Sequence, residues 1–212
     1  ERYGFREYDG PPIEELDLYT KKSGDEIVGQ LYNFTDKGDR NVSLRPEMTP
    51  TLARMAAAHT RNYKKPIKWF SIPQLFRYER QQKGRLREHF QFNADIIGEE
   101  HLAADAELIA LLIDTLRDLK LTSDDFVVRL SSRRAWQDFF ENGGGQEKDA
   151  NDFYQIIDKL EREDPAVSGD KLAKLGFSLK QVNDFIESGQ PTDELAAILA
   201  NIKARGLGDF IK

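Results

Sequence analysis

The order of apolar and polar residues predicts both strands and helices in the first part of the chain. Alternating patterns predict a strand, a hairpin with a DKGD turn and three further strands, at 5–8, 31–45, 66–72, 74–79 and 89–98. Apolar residues at helical spacing predict helices at 47–61 and 100–119. This part of the chain therefore combines β-structure with two long helices.

The remainder of the chain is predicted to become wholly helical. A strand at 126–132 and a helix at 133–140 come first, and Gly143-Gly144-Gly145 then predicts a boundary. Beyond it, helical patterns cover 151–161, 179–189 and 192–206, in a segment with nine Lys/Arg against thirteen Asp/Glu. We predict an α+β fold, a mostly antiparallel sheet flanked by helices, in residues 1–141, followed by a small all-helical module in residues 142–212.

Composition excludes several classes of protein. The 212 residues include no cysteine and three histidines, which excludes disulfide scaffolds and leads us to expect no dedicated metal site. No apolar run approaches the roughly 18–20 residues of a spanning helix, and no secretory signal is visible, so we expect a cytoplasmic protein without a membrane partner. The net charge of −6 argues against a protein that coats nucleic acid, although a local basic patch is compatible with it.

Residues 77–89 concentrate positive charge in this acidic chain. They contain five Lys/Arg and two Glu around Gly84, which predicts a hairpin whose loop projects cations. Guanidinium groups such as that of Arg77 bind phosphate oxygens in a bidentate way, which suits a polyphosphate substrate. The same charges suit an RNA backbone, or a solvated hairpin tip that keeps a sheet edge soluble, and charge alone does not separate these uses.

The strand predicted at 89–98 has a polar face made by Gln91, Asn93 and Asp95. Its other face is apolar. Polar side chains on a covered face need partners or a ligand, whereas on an open face they simply contact water. A pocket and a solvated sheet face are therefore both compatible with this pattern.

Polar residues also open the helix predicted after Leu44-Arg45-Pro46-Glu47-Met48-Thr49. Glu47 or Thr49 either caps the free N–H groups of the first turn or binds an ammonium group of a ligand. The segment alone supports both interpretations.

Four motifs occur in a fixed order: LRPEMT at 44–49, FRYE at 76–79, QKGRLREHFQFNADIIG at 82–98 and DAELIAL at 105–111. Together they resemble the catalytic core of bacterial histidyl-tRNA synthetase, a class II aminoacyl-tRNA synthetase. FRYE and the basic loop resemble motif 2, and ERYGFREYDGPPIEE resembles the end of motif 1, with Pro12 as its proline and Glu14 shortly after. The resemblance implies a partial class II catalytic core in 1–141 and the family's insertion domain in 142–212.

The resemblance also implies an ATP site. Arg77 would be the catalytic residue that holds the α-phosphate of ATP and the carboxylate of histidine. Glu79 would accept a hydrogen bond from the adenine amino group, Arg85 would reach the distal phosphates, and His89 would stack on adenine. Mg²⁺ would be bound through the ATP phosphates rather than in a protein cage.

The amino-acid site implied by the resemblance uses the two polar segments described above. Glu47 and Thr49 would bind the α-amino group of histidine, while Gln91 and Asp95 would line the pocket for its side chain. The further partners implied are the acceptor stem of tRNA(His), near the helical module, and a second copy of the chain in a homodimer formed through motif 1.

The sequence lacks parts that the family resemblance leads us to expect. A second histidine-specific segment, motif 3 and an anticodon-binding domain do not follow, so we expect a fragment with weak or no activity. A synthetase-like regulatory subunit of ATP phosphoribosyltransferase, which senses histidine without ligation, is the main alternative, and another class II synthetase is a weaker one. The combination of Glu47, Arg77, Glu79 and Arg85 favours the ligase, because a sensor does not need a triphosphate site.

Overall fold

The computed structural model describes residues 2–21, 25–80, 83–189 and 192–211, with the side chains of residues 25 and 26 outside this description. It divides the chain into two compact units, Glu1–Ala104 and Asp105–Lys212. The first contains all the named strands, and the second is built from helices. This division differs from the predicted boundary at residue 141, which concerns the family's domains and stays a prediction.

Unit 1 is organised around short strands in three sheets. The strands are β1 (Arg6–Glu7), β2 (Ile13–Glu15), β3 (Asn33–Thr35), β4 (Asn41–Leu44), β5 (Ile67–Ser71), β6 (Gln74–Phe76), β7 (Glu88–Phe90) and β8 (Asn93–Ile97). Their orders are β1-β5-β8, β2-β4-β3 and β6-β7. Every pairing is antiparallel except β1 with β5. The predicted α+β class and the hairpin within 31–45 are confirmed.

The described residues form helices α1 (Asp17–Thr20), α2 (Asp25–Val28), α3 (Thr49–His59), α4 (Ala103–Asp118), α5 (Arg133–Asn142), α6 (Ala150–Lys159), α7 (Pro165–Lys174), α8 (Leu179–Ser188) and α9 (Asp193–Ala204). The third to sixth, the eighth and the ninth lie close to the ranges predicted from the sequence. Helices α1, α2 and α7 were not predicted, although Asp164 caps α7 by accepting a hydrogen bond from the backbone N–H of Ala166 at 2.8 Å. Among the described residues, no helix is both long and apolar enough to cross a membrane.

Two predicted strands differ from the structure. The run at 89–98 is broken into β7 and β8, which belong to different sheets, and the backbone N–H of Gln91 donates instead to the carbonyl of Pro73. Pro73 lies at the matching break between β5 and β6, where its missing N–H prevents a continuous ladder. The run at 126–132 makes only one isolated bridge, Val128 with Ile211, because its surroundings are helical.

The core of unit 2 is a cluster of aromatic and aliphatic side chains. Its buried members are Phe140, Phe153, Ile156, Leu172, Phe177 and Val182. Gly143 and Gly145 lie directly against the rings of Phe177 and Phe140, where an added Cβ would fall inside contact distance. Gly143 and Gly145 are therefore packing positions within unit 2, whereas an added Cβ at Gly144 would meet nothing within 4 Å.

Candidate active site

The basic segment forms the hairpin expected from its charge pattern. Strands β6 and β7 pair Gln74 with Phe90 and Phe76 with Glu88. The backbone N–H of Arg77 donates to the carbonyl of Arg87 at 2.9 Å, which extends the ladder toward the loop. Gly84 has φ +83°, a left-handed conformation that favours glycine at this turn. Residues 81 and 82 lie outside the described part of the loop.

Arg77 is held against the segment that contains Glu47. Its Nε donates to the carbonyl of Pro46 at 3.0 Å, and its side chain is half-buried. A guanidinium with one N–H anchored keeps its plane fixed and can present other donors in a set direction. The structure thus brings Arg77 and the Pro46–Glu47 turn together, two features that are about thirty residues apart in sequence.

Glu79 and Arg85 form an ion pair across the hairpin. Arg85 Nη1 lies 3.2 Å from Glu79 Oε2, and the Glu79 side chain is 15% exposed against 62% for Arg85. Arg87 supports this pair, since its Nε donates to the Glu79 carbonyl at 3.1 Å and its guanidinium lies 4.0 Å from the centre of the Tyr78 ring. The arginine is exposed but the carboxylate is mostly buried, so a ligand that displaces Arg85 has to supply Glu79 with another hydrogen-bond donor.

Arg45 is a buried residue that supports the site and was not predicted from the sequence. It is 3% exposed, and its Nη1 donates to Asp9 Oδ1 and to the Gly10 carbonyl, both at 2.7 Å. Its Nε donates to the carbonyl of Gln74 at 2.9 Å. Arg45 therefore joins the end of the first strand to β6, which leads directly to Arg77. An arginine at a strand end gives no signal of this role in the sequence.

The remaining predicted residues lie on the same unit. Glu47 is half-buried, and Thr49 is exposed as the first residue of α3, whose N-cap position is occupied by Met48 rather than by Thr49. His89 is half-buried opposite Leu75 in the β6–β7 pair. The exposed Gln91 side chain donates through Nε2 to Asn93 Oδ1 at 2.9 Å.

The first sheet places Asp95 on a partly covered polar face. Asp95 is directly opposite Trp69, and Asn93 is opposite Ser71, so these four side chains share one face. Asp95 Oδ2 is buried without a hydrogen-bond partner among the described residues. Burial raises the pKa of Asp95 above its ordinary value. These observations favour a pocket over a solvated face at this position.

The described residues contain no group of three or more His, Asp or Glu side chains placed to hold a metal ion. The cationic groups near the hairpin instead suit an anionic ligand. Arg77 and Arg85 both lie on this hairpin, one at the end of a strand and the other in the loop.

Comparison with known proteins gives consistent matches. Residues 1–201 match the family model described as histidyl-tRNA synthetase. The chain is 52% identical over 160 residues to a histidine–tRNA ligase of Opitutus terrae, covering 76% of this chain and 37% of that protein. It is 43% identical over 187 residues to one of Haloarcula marismortui, covering 88% of this chain and 43% of that protein. The chain thus spans less than half the length of these relatives.

A solved structure shows the same fold. The chain superposes on a Bacillus halodurans protein described as an ATP phosphoribosyltransferase regulatory subunit/histidyl-tRNA synthetase with a TM-score of 0.79. The match covers 99% of this chain and 59% of that protein, at 19% identity. At this identity the likeness concerns the fold alone.

Proposed function

Because the chain belongs to the histidyl-tRNA synthetase family, we propose that it forms part of a histidine–tRNA ligase. The complete enzyme would join histidine to ATP, form histidyl-adenylate with release of pyrophosphate, and transfer the histidyl group to tRNA. The observation that carries the proposal is the position of Arg77, anchored by the Pro46 carbonyl beside Glu47 at the end of a basic hairpin.

In the proposed reaction, a carboxylate oxygen of histidine attacks the α-phosphorus of ATP, and the bond to the pyrophosphate oxygen breaks. Negative charge accumulates on the α-phosphate oxygens during this step. Arg77 would hold one of these oxygens and the attacking carboxylate together, which aligns the reactants and stabilises the developing charge. Its anchored guanidinium supplies a fixed direction for this contact.

The same hairpin supplies the proposed contacts with the rest of ATP. Glu79 would accept from the adenine amino group, and His89 would stack on the base. Arg85 would leave Glu79 and neutralise the distal phosphates, with which Mg²⁺ would also bind. The Glu79–Arg85 pair is compatible with this exchange because the adenine amino group would supply the donor that the mostly buried Glu79 carboxylate loses when Arg85 leaves.

Histidine would lie between the α3 entrance and the face that carries Asp95. Glu47 and Thr49 would bind its α-ammonium group, while Gln91 and Asp95 would bind its side chain. We further propose a cytoplasmic homodimer, with the helical segment 142–212 near the acceptor stem of tRNA(His). The 212-residue chain alone would form adenylate weakly or not at all.

A histidine-sensing regulatory subunit is the second candidate, since the Bacillus halodurans protein with the same fold is described as an ATP phosphoribosyltransferase regulatory subunit/histidyl-tRNA synthetase. The two relatives with 52% and 43% identity are both named histidine–tRNA ligase. The residues proposed for adenine and triphosphate binding also favour the ligase. This makes the sensor the weaker alternative.

The proposal is tested by histidine-dependent exchange of pyrophosphate into ATP, measured with the full-length protein that contains this chain. We expect exchange in the wild type and a rate lower by about 10²-fold or more in Arg77→Lys, because lysine keeps the charge but loses the two-pronged geometry. Arg40→Lys is the matched control, since two guanidinium nitrogens of Arg40, Nε and Nη2, donate to the same Oδ2 of Asp36 on an exposed turn.

A wild-type protein that binds histidine but shows no exchange and no histidylation of tRNA would favour the sensor. Normal exchange in Arg77→Lys would instead show that Arg77 is a structural residue. The Arg40→Lys variant should keep the wild-type rate in either case.

A further inference from the structure

A second concentration of positive charge lies in unit 1, outside the basic hairpin. Residues 48–78 contain six Lys/Arg and no Asp/Glu, in a chain whose net charge is −6. Four of the six lie between the end of α3 and the first residues of β5, and they are Arg61, Lys64, Lys65 and Lys68. The proposed reaction gives these four residues no role, so their charge needs a separate explanation.

Several of these residues line a cavity at the start of β5. The cavity has a volume of about 300 Å³ and is formed by Gly4, Arg6 and residues 63–69. Four of the lining residues are cationic and, among the residues that the structure describes, none is acidic. The volume is at the lower end of the roughly 300–1,000 Å³ of small-ligand pockets. The cavity can therefore take an anionic group with a small attached ring, but not a double helix.

Three of the cationic side chains are available to an anion. Arg6, Lys64 and Lys65 are exposed, and within the described part of the chain none of the three forms an ion pair with a carboxylate. Lys68 differs from them, since its Nζ lies 5.0 Å from the centre of the Phe5 ring. A cleft lined by charges of one sign focuses the electrostatic field and attracts ions of the other sign.

The position of Lys65 is defined by packing on the backbone that follows β8. A Cβ added at Gly98 would lie 2.6 Å from Lys65 Cδ, so the glycine leaves the space that the lysine stem occupies. A lysine whose stem packs on the protein keeps its ammonium group in water. Because this stem is already ordered, Lys65 loses less conformational freedom when it binds an anion.

The loop that carries these lysines also carries an exposed aromatic ring. Tyr63 is 36% exposed, and its ring is nearly perpendicular to the rings of Trp69 and His59, at centroid separations of 5.0 Å and 6.5 Å. These two contacts hold the ring in place while part of it stays open to solvent. An open aromatic ring beside free cations is the combination that binds single-stranded nucleic acids, since a base stacks on the ring and the cations hold the phosphates.

We propose that the cavity and the Tyr63 ring form a binding site for a single-stranded nucleic acid, separate from the basic hairpin. One unstacked base packs on Tyr63, and Arg6, Lys64 and Lys65 bind the neighbouring phosphates. A duplex does not fit this site, because its bases are stacked on one another and cannot reach the ring. The site uses none of the residues of the proposed reaction, so either proposal can hold without the other.

The first test measures the binding of a fluorescein-labelled single-stranded RNA of about eight nucleotides to the full-length protein, by fluorescence anisotropy. We expect Tyr63→Leu to weaken binding about 10-fold, because leucine keeps an apolar contact with Trp69 but cannot stack on a base. Tyr63→Phe keeps the ring and should bind like the wild type. Phe34→Leu is the matched control, since Phe34 is 47% exposed on β3, and it should have no effect.

The second test measures the contribution of the lysines through the salt dependence of binding. Lys64→Gln and Lys65→Gln should each reduce the slope of log affinity against log salt by about 0.7, the usual value for one phosphate contact with a single strand. Lys37→Gln is the control for net charge, because it removes an exposed lysine from the turn between β3 and β4. Single-stranded DNA of the same sequence shows whether the site distinguishes the two sugars.

Three results would overturn the proposal. They are an unchanged affinity in Tyr63→Leu, a salt slope that neither lysine substitution alters, and a double-stranded RNA bound as tightly as the single strand. Thermal unfolding of each variant checks that the protein is folded. Histidine-dependent exchange should keep its wild-type rate in Lys64→Gln. Absence of exchange in the wild type would contradict the proposed function and would leave this site unaffected.

Discussion

At the scale of single residues, Asp95 links the proposed histidine site to the stability of the protein. Its carboxylate is partly buried, and burial raises its pKa. An aspartate in an unfolded chain has a pKa of about 3.9. At a pH between the unfolded pKa and the raised folded pKa, the folded protein holds the proton of Asp95 more tightly than the unfolded chain does. The free energy of unfolding therefore falls as the pH rises through the elevated pKa of Asp95.

Replacing Asp95 should consequently stabilise the unliganded chain at neutral pH. We expect Asp95→Asn to raise the melting temperature at pH 7 by about 2–4 °C, which corresponds to about 1 kcal/mol in a chain of this size. The gain should shrink as the pH falls through the raised pKa of Asp95, because the wild-type carboxyl then takes up a proton. Thermal unfolding from pH 4 to 7 measures the difference, with the exposed Asp124→Asn as a control.

Whereas Asp95→Asn should stabilise the fold, it should weaken the binding of histidine. In the full-length protein, we expect the binding free energy of histidine to become less favourable by about 1.5–3 kcal/mol, the usual contribution of a hydrogen bond to a charged group. A variant less stable than wild type at pH 7 would show that Asp95 has a structural partner and would contradict this view of the site.

Some of the residues of the proposed site could be predicted from the sequence, and others could not. The charge pattern placed Arg77 and Arg85 on a hairpin, because hairpins are formed by residues close in sequence. Arg45 could not be found in this way, since its role depends on contacts with Asp9 and Gln74, which lie roughly thirty to forty residues away in sequence. Taken alone, it resembles an ordinary arginine at the end of a strand.

At the scale of elements, the glycines near α5 decide how its aromatic side chains pack. An alanine at Gly145 would push its Cβ into the ring of Phe140, which is 2% exposed and has little room to move. We expect Gly145→Ala to lower the free energy of unfolding of unit 2 by about 1–3 kcal/mol, the usual cost of overpacking. Urea denaturation followed by far-ultraviolet circular dichroism measures this loss.

Gly169→Ala is the matched control within the same unit. Gly169 lies inside α7, and an added Cβ would meet only Leu179, at 4.0 Å. This substitution should stabilise the helix by up to about 1 kcal/mol, because alanine favours helical backbone more than glycine does. Equal effects of the two substitutions would show that packing against Phe140 is unimportant.

Local patterns predicted most helices but located the strands less well. Helices α4 and α9 follow from apolar spacing within a single segment, which requires no knowledge of the rest of the fold. The strand predicted at 126–132 has the right alternation, but a strand also needs a partner, and the surrounding segments are helical. The break at Gln91 likewise depends on Pro73 in a different strand.

At the scale of the whole molecule, the division into two compact units and the glycine triplet predict different folding boundaries, one after Ala104 and the other near residue 141. Helix α5 contributes Phe140 to the buried cluster of unit 2, and its Trp136 and Phe139 pack against that cluster. A fragment of residues 142–212 would lack all three. We expect residues 105–212 to unfold cooperatively and residues 142–212 to show little helical structure, because the cluster cannot form without α5.

Circular dichroism and thermal unfolding of the two fragments test this expectation. A fragment of residues 142–212 that is as helical and as stable as 105–212 would support a folding boundary near residue 141 instead. The outcome therefore also tests whether the family's insertion domain can fold without α5.

The parallel pairing of β1 with β5 has a consequence for the protein during its synthesis. Strand β1 is synthesised before its partner β5, which is complete only after Ser71. At about 5–20 residues per second, this delay lasts about 3–13 s. During that time β1 has no partner, but it is only two residues long and both, Arg6 and Glu7, are charged. Such a strand offers little to the edges of other nascent chains, so the late partner need not lead to aggregation.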